Sequence, residues 1–101
     1  MPRLAEMVEK VRSKNAGPFW VTVDIFCGGS EAFARVAAAL DNAQVARLVG
    51  TTPGLLKRFD IADLAVIKVS FPRPVVQGSR SDRDMHGAQW ASLLAEAEIA
   101  G

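Results

Sequence analysis

The sequence predicts an α+β domain of the ferredoxin-like, split β-α-β kind, a small, mainly antiparallel sheet with helices on one face. Three observations predict it. Residues 19–27, FWVTVDIFC, alternate with period two, and residues 64–71 do the same in the second half. The segments that follow each of these strands, residues 30–50 and 88–96, carry apolar residues at helical spacing instead.

Taken in order, Leu4, Met7, Val8 and Val11 fall at i, i+3, i+4 and i+7, one apolar stripe of a short helix. Arg12 and Lys14 suit its last turn, and Asn15 with Gly17-Pro18 stops it. The period covers only two turns, so a strand over residues 3–13 fits equally. In the next strand Phe19, Val21, Val23, Ile25 and Cys27 share an apolar face, and Trp20, Thr22, Asp24 and Phe26 share a mixed one. Gly28-Gly29 ends it, and Ser30 is placed to cap a helix with Phe33, Val36, Ala37 and Leu40 on its stripe. Asp41 or Asn42 caps a second helix carrying Val45, Leu48 and Val49, closed by Gly50. After the Thr51-Thr52-Pro53-Gly54 turn, a short strand is expected over residues 55–60 and a stronger one over 64–71. In the latter, Ala65, Ile67, Val69 and Phe71 face one way, Lys68 and Ser70 the other. Pro72 and Pro74 end it. Residues 78–87 form a polar Arg- and Asp-rich loop, the last helix carries Trp90, Leu93, Leu94 and Ala97, and residues 98–100 suit a terminal edge strand.

At 101 residues, half of them apolar and 23% charged, the chain is expected to fold as a single domain over residues 1–101. A net charge of +1 argues against a general binder of nucleic acid or acidic membranes. One cysteine, Cys27, permits no internal disulfide and suits a reducing, cytoplasmic setting. The opening MPRLAEMVEK lacks an apolar core of signal-peptide length, and no stretch approaches the ~20 apolar residues of a membrane span.

Several residues are candidates for chemistry, each beside a plainer reading. Gly28-Gly29-Ser30 sits between a strand and a helix N-terminus, where backbone N–H groups hold anions, yet it lacks the spacing of a phosphate loop and also reads as a capped turn. Arg73 and Arg83, with Arg80 between them, offer bidentate partners for carboxylate or phosphate, or else a solvated surface. Asp82, Asp84 and His86 write D-x-D-x-H, too thin a set for a metal site, and neither metal nor cofactor is expected. A Ser30, Asp84 and His86 triad has no spacing to bring its members together. Cys27 reads as a small buried hydrophobe. Trp20 and Phe26 are core if a helix covers the mixed face and a partner-binding aromatic patch if none does. Lys14 and Lys68 read as strand lysines reaching solvent or facing a ligand.

Taken together, RSKNAGPFWVTVDI, FDIADLAVIKVSFPRP and the GAQ of DMHGAQW resemble the family called domain of unknown function 4387, over nearly the whole chain and in order. The family name supplies no reaction. The RSKNAGP turn with its strand, LKRFDIADLAVIKV, the GSRSDRD loop and the last helix are also similar to the C-terminal ferredoxin-fold domain of AtuA-like proteins, associated with acyclic terpene and branched-carboxylate catabolism. That resemblance implies a free-standing counterpart of the domain, acting beside a larger catalytic subunit. The matched positions are Arg12, Ser13, Lys14, Asn15, Gly17, Lys68, Arg73, Asp84, Gly87 and Gln89. Where the family pattern has a tyrosine before GAQ, this chain has His86, so a mechanism resting on that hydroxyl does not carry over.

The expected function is thus a small accessory subunit of an AtuA-like enzyme handling acyl or branched carboxylate substrates. Arg12, Lys14, Arg73, Arg83 and Ser30 are its anion-binding candidates, and Trp20 and Phe26 its interface candidates. The alternative is a self-contained, homo-oligomeric lyase or hydratase with Lys68 or His86 as acid/base. An accessory subunit would show an exposed apolar patch, an enzyme a cleft.

Overall fold

A computed structural model describes residues 3–17, 19–72 and 89–99. The elements run α1 (Leu4–Met7), β1 (Lys10–Asn15), β2 (Trp20–Phe26), α2 (Ser30–Ala39), α3 (Asn42–Val49), β3 (Lys57–Ile61), β4 (Val66–Pro72) and α4 (Gln89–Ala95). The four strands form one sheet in the order β1-β2-β4-β3, with every neighbouring pair antiparallel. Since β2 and β3 both oppose β4, they are parallel to each other, and β4 lies between them. β2, the two helices α2 and α3, and β3 are therefore a split β-α-β unit. The strand that the ferredoxin-like order places last is here first in the chain, as β1.

The opening segment is helix and strand in succession. One turn, α1, buries Leu4, and Val8 is already extended (φ −128°, ψ 165°). From Lys10 the side chains alternate across the sheet, so Arg12 and Lys14 belong to a strand, not to the last turn of a helix. β-branched Val8 and Val11 favour this outcome.

On one face, Val21, Val23 and Ile25 of β2 oppose Phe71, Val69 and Ile67 of β4, all six fully buried. Leu4, Val36, Leu40, Val45, Val49, Leu94 and Ile99 complete the cluster from the helices and the C-terminal segment. Phe71 meets Trp90 of α4 edge-on, with centroids 5.6 Å apart and planes at 85°. Phe19 lies one residue before β2 and is 58% exposed, outside the core face expected of it.

Asp41 caps α3 by accepting from the Gln44 N–H (2.7 Å), and Gly50 closes it in the left-handed region (φ 79°). Ser30, in contrast, is the first residue of α2. Gly29 holds the cap position and no side chain bonds to the helix end there. The second-half strands each start later than expected, because short 3₁₀ turns over Pro53–Leu55 and Ala62–Leu64 take their first residues. Leu64 is consequently 70% exposed. Glu98 forms a single antiparallel bridge to Arg3, and Ile99 beside it is buried. Arg3 adds ion pairs to Glu6 (3.0 Å) and Glu96 (2.9 Å), and its side-chain and backbone hydrogen bonds, helped by its charge, hold the Glu6 carboxyl below the usual range. No helix among the described residues is long and apolar enough to cross a membrane.

Candidate functional site

The second face of the sheet has no layer of described residues over it, and the register arranges its side chains in rows. Lys10, Phe26, Val66 and Ile61 form the first row. Arg12, Asp24, Lys68 and Phe59 form the second, and Lys14, Thr22, Ser70 and Lys57 the third. Trp20 lies beyond them, opposite Pro72. Five cations and one carboxylate thus share this surface with half-buried aromatic rings.

The contacts within the rows are sparse. Lys68 Nζ stands 3.6 Å from Asp24 Oδ1, with the side chains 40% and 19% exposed. That is an ion pair without a hydrogen bond, and Oδ1 itself is buried and accepts none. The Thr22 and Ser70 hydroxyls lie 3.1 Å apart in the centre of the sheet. Lys10 sits 5.0 Å from the centroid of Phe26, and Lys57 5.0 Å from that of Trp20. Phe26 and Trp20 therefore each carry a cation, an arrangement that keeps positive charge next to apolar surface.

An open groove of about 380 Å³ is lined by Arg12, Ser13, Lys14, Asp24 and Phe26. The Arg12 and Lys14 side chains line this groove with no hydrogen bond or ion pair to another side chain among the described residues. Ser13 accepts from the Ala91 N–H (2.9 Å) and ties α4 to β1 behind them. Ser30 lines a different groove, with Glu9, Lys10, Phe26, Gly28, Asp63 and Leu64 among its neighbours. The two grooves share Phe26 alone, so the structure does not bring Ser30 to Arg12 and Lys14. Arg73, Arg83 and His86 lie outside the described residues, as do Asp82, Asp84 and Gly87.

Sequence reading named Arg12, Lys14, Trp20, Phe26 and Lys68 singly and missed Lys10 and Lys57. The signal was present for the first: Lys10, Arg12 and Lys14 alternate with period two, a strand pattern written in charge rather than hydropathy. For Lys57, only the register places it beside Ser70.

Cys27 is buried, and burial pushes its thiol above the ordinary value, with the Asp60 charge adding to the effect. It is expected to resist alkylation in the folded protein and to react once denaturant is added, as a mass-spectrometric labelling series would show. Gly28 has φ +85°, and a Cβ there would stand 3.0 Å from Glu9 Oε2 and 3.2 Å from Glu9 Cβ. Gly28→Ala is expected to lower stability by about 1–2 kcal/mol, measured by urea unfolding.

The family described as domain of unknown function DUF4387 matches residues 4–98. The chain belongs to this family. No curated protein and no solved structure matches it. For DUF4387, the matched span includes all four strands and all three grooved or uncovered surfaces described above.

Proposed function

We propose that this DUF4387 chain is a small cytoplasmic accessory subunit of a larger catabolic enzyme handling acyl or branched carboxylate substrates. The observation that carries the proposal is the uncovered sheet face, where Arg12, Lys14, Lys57 and Lys68 surround the Thr22–Ser70 hydroxyl pair. A sheet normally buries its apolar side and wets the other. Aromatic rings paired with cations on the wet side are instead the composition of a recognition surface. Arg12 and Lys14 supply the charge for a carboxylate, and Trp20 and Phe26 supply area for a partner or an acyl chain. The segmental likeness to AtuA-like proteins makes a large subunit of that kind the first partner to seek.

Purification of the tagged protein from its native cells, followed by native mass measurement, tests this reading. A larger partner at fixed stoichiometry is expected, lost in an Arg12→Gln/Lys14→Gln variant whose thermal unfolding stays within a few degrees of the parent. Recovery of only copies of this chain would sink the accessory role. It would move attention to the self-contained lyase or hydratase, which the Lys68–Asp24 pair beside an open groove favours as an acid/base site.

A further inference from the structure

The two edges of the sheet are unlike. On β1, Lys10, Arg12 and Lys14 repeat at alternate positions, and the helix α4 packs against the strand. If β1 paired antiparallel with β1 of another copy about an axis through Arg12, Arg12 would face Arg12 and Lys10 would face Lys14, which is unfavourable. That edge is guarded, as sheet edges usually are.

β3, at the other edge, pairs only with β4 among the described residues. Its sequence Lys57-Arg58-Phe59-Asp60-Ile61 is self-complementary when reversed. A two-fold axis through Phe59 sets Phe59 of one copy against Phe59 of the other, and Arg58 of each against Asp60 of the other. Phe59 is 54% exposed on this edge, so its ring is open to contact from a second copy. Arg58, 13% exposed, keeps its internal pair with Asp60 at 2.8 Å, and Asp60 is 40% exposed, so each copy presents a ready-made pair whose charges are opposed head to tail by the other's. A net charge of +1 sets little general repulsion against the approach.

We infer that β3 pairs with β3 of a second copy of this chain, joining two four-stranded sheets into one across a two-fold axis. The uncovered faces then lie on the same side and form one continuous surface. This inference stands whether or not a larger partner also binds that surface.

Hydrogen exchange of the unmodified protein over a dilution series is the deciding test. β3 amides are expected to exchange more slowly as protein concentration rises, while β1 amides do not change. Exchange in β3 that is independent of concentration would overturn the pairing. As a second readout, sedimentation of Phe59→Lys is expected to show a dimer at least about tenfold weaker, since two lysines replace a ring pair at the axis. A folded Phe59→Lys protein that dimerises as tightly as the parent would also overturn it.

Discussion

Phe71→Ala is expected to destabilise the fold by about 4 kcal/mol, within the range of large-to-small changes in closed cores. Phe71 is fully buried, lies in the central strand β4 opposite Val21, and holds the edge-on contact to Trp90. Its removal opens a void among β-branched residues that have little rotamer freedom to fill it. It also frees α4, whose Trp90 Nε1 is already buried without a hydrogen-bond partner among the described residues. Urea unfolding at constant m-value measures the loss, and Phe19→Ala is the control. Phe19 is exposed, so that variant is expected to stay within about 0.5 kcal/mol of the parent. Equal effects from the two would mean that the core face is misassigned.

Arg58→Met is expected to cost about 3 kcal/mol, although arginine is an unusual residue for a stability role. The Arg58 side chain is 13% exposed and lies on the helix-covered face of β3. It donates from Nη1 to the Leu40 carbonyl and to Asn42 Oδ1, and from Nη2 to the Ala37 carbonyl (2.9 Å). Those carbonyls belong to the last turn of α2 (Ala37) and its C-cap (Leu40), and that turn has no basic residue of its own. A guanidinium from β3 thus supplies the donors that a helix C-terminus leaves unmet. Methionine fills part of the volume and none of the bonds. Arg58→Lys keeps the charge but not the planar fork, and is expected to recover less than half of the loss. A cost below about 1 kcal/mol for Arg58→Met would show that water satisfies the carbonyls equally well.

Arg58 also marks the limit of what was legible in the sequence. β2 and β4 were legible because their apolar residues alternate cleanly, and α3 because Asp41 and Gly50 punctuate it. β3 inverts the usual code, with Phe59 on the uncovered side and Arg58 with Asp60 toward the helices. No local pattern reveals that inversion, because its cause is a helix end 18 positions away in sequence. β1 was ambiguous for a related reason: its period is carried by charge, while its valines also fit a helical stripe. The site shared this limit. Arg12, Lys14, Trp20, Phe26 and Lys68 were nameable one by one, but their common face depends on register across three strands. Ser30 looked like part of the same anion site because its turn chemistry is local, and the fold sends it to another groove.

The strand order also sets how the chain must find its shape. β1–β2 and β3–β4 are hairpins closed by short connections, and such pairs form early and at little entropic cost. The seam between them is different: Thr22 and Ser70, partners at its middle, lie 48 positions apart. Both α2 and α3 fall inside that loop, so their docking and the closing of the seam belong to one event. Substitutions along the β2–β4 seam are therefore expected to slow folding more than those in either hairpin turn, as stopped-flow refolding would measure.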